Sequence, residues 1–264
     1  MTLRALVWDV DGTLAETERD GHRIAFNRAF EDEGLPWRWD VAGYGELLKV
    51  TGGKERLLHW WRGVDAHVAD RPEARDRIAR LHERKTAHYA GLVRAGAVVL
   101  RPGVRRLLIE ARQRGLALAI ATTTTEANVR ELLGATLGDA APGWFAVIGA
   151  GDVVVRKKPA PDIYDWVLER LRLPARDCLA IEDSAAGAAA AHAAGVPVLL
   201  TRSLYTVGEA IGGVLADLDG LGSNRRAASG RVQGRPWRGR VDVGRLRRWH
   251  ADAFERNPRA PAVS

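Results

Sequence analysis

The sequence contains a single cysteine, Cys178, and it lacks long uninterrupted apolar runs. A lone cysteine cannot form an internal disulfide, and its place in the apolar run 178–181 indicates a buried strand rather than a reactive thiol. The apolar stretch at the N-terminus ends at Asp9 and is too short for a signal sequence. Residues 184–201 are uncharged but are interrupted by glycine, histidine and proline, so they make a poor membrane span. We expect a cytoplasmic protein that does not contact membranes.

Positive charge is concentrated at one end of the chain. The formal net charge is +7, and residues 221–264 hold eleven arginines against three acidic residues, so residues 1–220 are close to neutral. A basic balance of this size can indicate nucleic-acid binding, but here it belongs to the tail alone. Since residues 221–240 are rich in Arg, Gly and Ser, we expect a solvated, disordered linker there, and nucleic-acid binding is the less favoured alternative.

Several short apolar runs are typical of buried parallel strands, which lack the alternation of half-exposed strands. They lie at residues 3–10, 116–121, 145–150, 178–181 and 196–200. Helical patterns separate most of them. Alternation of strands and helices predicts an α/β fold built on a doubly wound parallel sheet.

The segment 16–97 departs from this alternation, because its charged residues and its apolar spacings of three and four are typical of helices. It predicts an inserted α-helical domain between two parts of the core, residues 1–15 and 98–220. In the C-terminal segment 241–264, a last helix and a tail are expected. That helix should dock on the core through apolar residues at roughly helical spacing, which are Val243, Leu246, Trp249 and Phe254.

Reactive side chains follow four of the predicted strands. They are Asp9 with Asp11, then Thr122, then Lys158, and finally the pair Glu182 and Asp183. In an open parallel sheet the carboxyl ends of the strands share one edge, where ligands bind. Carboxylates brought together repel one another unless a cation intervenes, and oxygen ligands of this kind suit Mg²⁺. Lysine and threonine add donors for the oxygens of a transferring phosphoryl group, so these residues indicate a magnesium-phosphate site.

The same residues form four motifs in a fixed order. Asp9–Leu14 has the sequence DVDGTL, Thr122 is the second motif, Lys158–Asp162 has the sequence KPAPD, and Glu182–Ser184 has the sequence EDS. In this order they resemble the four motifs of the haloacid dehalogenase superfamily. One Asp-x-Asp pair is a weak signal, whereas four motifs at strand ends in the order of the family are highly specific.

The resemblance implies a two-step phosphatase mechanism. Asp9 would attack phosphorus and form an aspartyl-phosphate, and Asp11 would protonate the leaving alcohol and then activate water. The resemblance also implies a bound Mg²⁺. Its ligands would be the Asp9 carboxylate, the Asp11 backbone carbonyl and Asp183, with Glu182 as a further ligand or as an orienting residue.

Neighbouring residues compete for two of these roles. Thr122 begins a run of four threonines, of which we expect Thr124 to cap the next helix and Thr123 to contact the substrate. The family motif places lysine directly before proline, so Lys158 is predicted to complete the catalytic set with Thr122. Lys157 is expected to be solvated.

The helical insertion resembles the cap of the beta-phosphoglucomutase and phosphoglycolate-phosphatase branch, which closes over the core and sets specificity. Residues 51–56, TGGKER, resemble CbbY-type sugar-bisphosphate phosphatases. That resemblance implies hydrolysis of the 1-phosphate of xylulose-1,5-bisphosphate. The substrate-binding residues it assigns are Glu18, His22 and Tyr44 for sugar hydroxyls, and Gly52, Gly53, Lys54 and Arg56 for the distal phosphate.

Alternatives remain for the single cap residues: Tyr44 and His22 could pack inside the cap, and Glu55 could pair with Arg56 on a helix face. The functional alternatives are a beta-phosphoglucomutase or a phosphoglycolate phosphatase with the same core, and more remotely a phospho-accepting receiver domain. A receiver is disfavoured because Asp9 ends the first strand rather than a middle one. The expected partner is a small sugar phosphate, bound by a monomer.

Overall fold

The structure, a computed structural model, describes residues 2–256, and these contain one eight-stranded sheet. Its strands are β1 (Ala5–Trp8), β2 (Ala117–Ala121), β3 (Val147–Gly149), β4 (Cys178–Glu182), β5 (Val198–Thr201), β6 (Ala216–Leu218), β7 (Ala228–Val232) and β8 (Arg235–Gly239). Their order across the sheet is β3-β2-β1-β4-β5-β6-β7-β8. Neighbours from β3 to β6 are parallel, and β7 and β8 pair antiparallel. The predicted doubly wound parallel sheet is confirmed, with an antiparallel edge in addition.

Helices cover both faces of the sheet and build the insertion. They are α1 (Arg23–Asp32), α2 (Val41–Leu47), α3 (Gly53–Ala69), α4 (Pro72–Arg94), α5 (Val104–Gln113), α6 (Glu126–Leu137), α7 (Asp162–Leu171), α8 (Ala185–Ala193) and α9 (Val243–Arg256). One face of the sheet packs on α5, α6 and α9 through a cluster that includes Leu6 and Trp8. The other face packs on α7 and α8 through a cluster that includes Ala5 and Val7. Because successive residues of β1 enter two apolar layers, its sequence is apolar throughout.

The chain between β1 and α5 forms a helical unit with an apolar core of its own. A π-helical turn (Glu18–His22) leads into α1, which packs along α4. Large aromatic residues fill the centre of the unit, among them Phe26, Phe30, Trp39, Tyr44 and Trp61. These helices lie inside the predicted insertion 16–97. Within residues 2–256, no helix has the length and apolar character needed to cross a membrane.

The predicted disordered linker at residues 221–240 is wrong. The segment contains β7 and β8, joined by a two-residue turn, Gln233–Gly234, in which both φ angles are positive (48° and 76°). Such a turn matches the twist of an antiparallel hairpin. Ala228 and Val232 are buried, whereas Arg231 is exposed. The arginines therefore occupy the solvent side of a strand whose other side completes the core. The overall composition of the segment does not show this alternation, so it does not predict the strand.

The predicted C-terminal helix is confirmed as α9. Val243, Leu246 and Trp249 join the same apolar cluster as α5 and the sheet, whereas Phe254 packs on His250, with ring centroids 5.0 Å apart. Trp249 also meets Trp237 of β8 edge to face, with ring centroids 5.1 Å apart. The rest of the predicted tail, residues 257–264, lies outside the described residues.

Candidate active site

Asp9 lies directly after β1, at the point where the strand order changes direction between β1 and β4. Open parallel sheets bind ligands at such a switch point. Lys158, in the loop before α7, reaches the same point. Its Nζ donates to Asp9 Oδ1 (2.7 Å), Glu182 Oε1 (2.6 Å) and the Ala121 carbonyl (2.8 Å), so all three ammonium hydrogens are used. Burial opposes the charge, but Asp9 and Glu182 outweigh burial and raise the pKa of Lys158.

Asp9, Glu182 and Asp183 form a buried carboxylate cluster in which one oxygen of each lies within 4.8 Å of the others. Burial raises the pKa of Asp9 to about 7, against the attraction of Lys158. Burial also raises the pKa of Asp183 well above its ordinary value, and the charge of Asp9 adds to this. One lysine therefore does not balance the negative charge of the cluster. A divalent cation would balance it, and the hard oxygen ligands fit the predicted Mg²⁺.

Two glycines let these acids approach the backbone. A Cβ on Gly12, which has φ of 80°, would lie 2.1 Å from Asp183 Oδ2, and a Cβ on Gly187 would lie 1.9 Å from Glu182 Oε2. Larger residues at either position would displace the acid. Glu182 Oε1 accepts from Lys158 and from the Tyr164 hydroxyl, whereas Oε2 has no hydrogen-bond partner among residues 2–256. One oxygen thus orients Lys158, and the other lies against Gly187 at the start of α8.

Asp11 faces the helical insertion. The Thr17 hydroxyl donates to Asp11 Oδ1 (2.6 Å), and His22 Nε2 lies 2.9 Å from the same oxygen. Burial raises the pKa of Asp11, but the attraction and hydrogen bond of His22 and the bond from Thr17 outweigh burial and lower it to about 2. Stacking on Tyr89, at 4.2 Å between centroids, holds the His22 ring. His22 therefore contacts the predicted acid–base residue, a contact that the sequence did not indicate.

The threonines after β2 have different environments. Thr122 is buried, and its hydroxyl accepts from the Thr124 backbone N–H at 3.3 Å. Thr125 caps α6, because its hydroxyl accepts from a backbone N–H of the first turn at 3.4 Å. The prediction that Thr124 is the cap is wrong by one residue. Thr123 lines the cleft described next.

Two hollows lie between the core and the insertion. The larger is an open cleft of about 880 Å³, lined by Asp9, Asp11, Thr123, Lys158 and Asp183 and by Glu18, Gly52 and Arg56 of the insertion. The smaller, of about 50 Å³, shares part of this wall and is also lined by His22, Gly53, Lys54, His82, Lys85 and Lys157. Most predicted site residues are thus brought together. Those that line neither hollow are Tyr44, Thr122 and Glu182.

Tyr44 lies inside the insertion, so the predicted contact with sugar hydroxyls does not fit its position. Its ring is fully buried against Phe26 and Trp39. Its hydroxyl donates to Glu18 Oε2 (2.5 Å) and accepts from Arg56 Nη1 (2.9 Å). Tyr44 therefore holds two side chains that do reach the hollows.

Sequence reasoning missed Lys85, a buried cation on α4. The residue is 4% exposed, and its Nζ lies 5.1 Å from the ring centroid of Phe26 and 5.5 Å from that of Tyr89. Burial lowers the pKa of Lys85 to about 8, against the attraction of nearby acids. A signal was present, since Lys85 stands four residues from both Leu81 and Tyr89 on the apolar stripe of its helix. Tyr164, which was also missed, gave no comparable signal.

Two lysines at the rim of the smaller hollow meet at Asp152. The expectation that Lys157 is solvated is wrong, because its side chain is only 14% exposed and donates to Asp152 Oδ1 at 2.8 Å. Lys54 of the insertion lies 3.2 Å from Asp152 Oδ2. Asp152, an acid of the core, therefore contacts a lysine of the core and a lysine of the insertion.

The core is doubly wound and carries two acids, a threonine, a lysine and an acid pair at the ends of its strands. A helical insertion after the first strand covers it. Together these features define a phosphoryl-transferring hydrolase. The family model for haloacid dehalogenase-like hydrolases matches residues 3–195. The chain belongs to this family, and it is an enzyme of the phosphatase type.

Similar proteins carry the name CbbY. Protein CbbY (plasmid) of Cupriavidus necator is 49% identical over 248 residues, which are 94% of this chain and 97% of that protein. The crystal structure of CbbY from Rhodobacter sphaeroides in complex with phosphate has a TM-score of 0.76 at 42% identity and covers 85% of this chain and 98% of that chain. A mutant of the latter in complex with xylulose-1,5-bisphosphate has a TM-score of 0.76 at 41% identity, with the same coverage. Because 94% of this chain is matched, the similarity to the C. necator protein extends beyond residue 220 into the C-terminal segment.

Proposed function

We propose that this protein is a Mg²⁺-dependent phosphatase of sugar bisphosphates, which converts xylulose-1,5-bisphosphate to xylulose 5-phosphate. The observation that carries the proposal is the small polar hollow beside Asp11, where cations of the insertion converge: Lys54, Arg56 and Lys85. A substrate with a second phosphate would neutralise them. The similarity to the R. sphaeroides protein, which was crystallised with this bisphosphate, supports the substrate.

The first step transfers the phosphoryl group to the protein. The Asp9 carboxylate attacks phosphorus while the bond between phosphorus and the sugar oxygen breaks. The sugar oxygen takes a proton from Asp11 and leaves as an alcohol. In the second step, water attacks the phosphorus of the aspartyl-phosphate, gives a proton to Asp11 and releases inorganic phosphate, which regenerates Asp9. Lys158 orients Asp9 and supplies a fixed positive charge, and Thr122 supplies a hydroxyl donor to the phosphoryl oxygens.

Asp11 has to carry a proton in the first step, although its pKa of about 2 keeps it ionised in the free protein. A phosphate beside Asp11 is a like charge and raises its pKa, so substrate binding favours the protonated form. His22, 2.9 Å from Asp11, is a neighbouring group that can exchange this proton.

The metal ligands are proposed to be the carboxylates of Asp9 and Asp183 and the backbone carbonyl of Asp11. Glu182 contributes either as a further ligand or by orienting Lys158. When bound, Mg²⁺ neutralises charge on the phosphoryl group. The raised pKa values of Asp9 and Asp183 support this assignment, because both groups lack sufficient compensating positive charge in the protein itself.

The insertion binds the rest of the substrate. Glu18 and Thr123 line both hollows and are proposed to contact sugar hydroxyls, with Tyr44 holding Glu18 in place. The distal phosphate is assigned to Lys54, Arg56 and Lys85. Gly52 precedes α3 as its N-cap and Gly53 is its first residue, so the backbone N–H groups at the start of that helix add donors for an anion.

The test is phosphate release from a panel of substrates by the full-length enzyme. The panel contains xylulose-1,5-bisphosphate, ribulose-1,5-bisphosphate, fructose-1,6-bisphosphate, phosphoglycolate and beta-glucose 1-phosphate, each with Mg²⁺ and with EDTA. We expect xylulose-1,5-bisphosphate to have by far the highest kcat/KM, and both EDTA and Asp9→Asn to abolish activity. Preference for another substrate would overturn the assignment of the insertion, and formation of glucose 6-phosphate would indicate a mutase. Activity that survives in Asp9→Asn would overturn the mechanism.

A further inference from the structure

Asp152 joins a lysine of the core to a lysine of the insertion. Its Oδ1 accepts from Lys157 Nζ at 2.8 Å, and its Oδ2 accepts from Lys54 Nζ at 3.2 Å. Asp152 and Lys54 are 98 positions apart in the sequence and belong to different packed units. Their contact therefore exists only while the insertion lies over the core.

Lys157 makes Asp152 a fixed partner. Besides Asp152, its ammonium group donates to the carbonyls of Gly151 (2.6 Å) and Val154 (3.3 Å), so its three hydrogens are used within the loop that carries Asp152. These bonds brace the loop on both sides of the acid. The hydrogen bond from Lys157 also lowers the pKa of Asp152, which keeps the carboxylate ionised.

Lys54 retains donors for a ligand. Among the described residues its Nζ has one hydrogen bond, to Asp152, which leaves two hydrogens that can reach an anion in the smaller hollow. Its side chain is 48% exposed, so without a partner it would sample many rotamers, and ordering it on binding would reduce affinity. Asp152 is 69% exposed, so water and salt screen its repulsion of a bound phosphate. For Asp152 to favour phosphate binding, its restraint of Lys54 has to outweigh that repulsion.

We propose that Asp152 is a positioning residue for the distal phosphate: braced by Lys157, it aims Lys54 into the smaller hollow and thereby sets the preference for bisphosphates over monophosphates. This inference rests on the proposed function, since it assumes that Lys54 binds the second phosphate of the substrate.

The test compares xylulose-1,5-bisphosphate with xylulose 1-phosphate, the same sugar without the distal phosphate, for wild type and Asp152→Asn. In Asp152→Asn we expect KM for the bisphosphate to rise about fivefold, the scale of one exposed ion pair, with kcat nearly constant. The KM for the monophosphate should change far less. Asp152→Glu should keep part of the preference. The matched control is Asp139→Asn, an exposed acid beyond the far end of α6, and it should change neither KM.

A double-mutant cycle with Lys54→Met tests whether Asp152 acts through Lys54. In the Lys54→Met background, Asp152→Asn should produce no further rise in KM for the bisphosphate. A further rise in KM in the Lys54→Met background would overturn the role of Asp152. In Asp152→Asn alone, an equal rise in KM for both substrates, an unchanged KM or a lower KM for the bisphosphate would also overturn it. A wild-type enzyme that does not distinguish the two substrates would instead overturn the proposed substrate before any variant is compared, and the role of Asp152 with it.

Discussion

His22 Nε2 lies 2.9 Å from Asp11 Oδ1, although His22 belongs to the helical insertion and Asp11 to the loop after the first strand of the core. Thr17, at the start of the helical insertion, donates to the same oxygen at 2.6 Å. The environment of Asp11 is therefore completed by residues that approach it only when the insertion covers the core. In the proposed mechanism, the position of the insertion and proton transfer by Asp11 would therefore be coupled through this one carboxylate.

Replacing His22 should slow the chemical step. In His22→Asn we expect kcat for the bisphosphate to fall at least about 100-fold, on the scale of general acid–base catalysis, with a smaller change in KM. The pKa of Asp11 should rise from about 2, because its main source of attraction is lost. Steady-state kinetics and a carboxyl NMR titration measure the two effects.

The matched control for this variant is His88→Asn, since His88 pairs with Asp32 at 2.7 Å away from both hollows. It should retain wild-type kcat. Unchanged kcat in His22→Asn would contradict a role of His22 in proton transfer.

Replacing Lys85 should stabilise the fold and reduce activity. Its pKa is lowered to about 8 in the folded protein, so between pH 8 and 10.5 the unfolded chain binds more protons, and the free energy of unfolding rises with pH. Below pH 8 the full cost of burying the charge is present, up to about 3 kcal/mol. We expect Lys85→Met to raise the free energy of unfolding at pH 7 by about 1–3 kcal/mol, and this gain to shrink towards pH 10.5.

Urea unfolding at pH 7 and at pH 10 measures this difference, and Lys49→Met, at a lysine that is 74% exposed, is the control. Lys85→Met should also raise KM for xylulose-1,5-bisphosphate. An equal gain in stability at both pH values would show that burial of the charge is not its source.

Mg²⁺ should stabilise the folded protein, because it would relieve repulsion within the buried cluster of Asp9, Glu182 and Asp183. At about 100 times its Kd, a ligand adds about 2.7 kcal/mol, which corresponds to several degrees in Tm for a chain of this size. Asp183→Asn should remove most of this increase, and Glu169→Gln, at an exposed acid, should preserve it. Thermal unfolding with and without Mg²⁺ is the measurement. An increase of the same size in Asp183→Asn would place the metal elsewhere.

The C-terminal extension should contribute to global stability. Leu246 is fully buried in the main apolar cluster, so Leu246→Ala should lower the free energy of unfolding by about 2–5 kcal/mol. Arg238→Ala, on the exposed side of β8, should change it by less than about 0.5 kcal/mol. Urea denaturation at neutral pH compares the two variants. A loss near zero for Leu246→Ala would mean that α9 is not docked in solution.

The fold of the core could be predicted because its strands are short continuous apolar runs, and buried parallel strands leave this pattern in the sequence. The hairpin at 228–239 could not be predicted in the same way. Its alternation of Ala228, Arg231 and Val232 is brief, and these residues become a strand only beside β6, whose Ala216 pairs with Val232. The average composition of the segment is dominated by arginine and glycine, so it does not indicate that one side of the strand faces the core.

The sequence by itself determined the candidate chemistry of the core. In three of the motifs the polar residue lies at the end of the apolar run, so Asp9, Thr122 and Asp183 could be assigned to one edge of a sheet. Lys158 is separated from β3 by a loop, and its KPAPD motif assigned it to the same edge. Only the tertiary structure decided which groups of the insertion meet that edge. The contacts of His22 with Asp11 and of Lys54 with Asp152 join residues on different packed units. Periodicity identifies the apolar face of a helix, but the partner of that face depends on how the two units pack together.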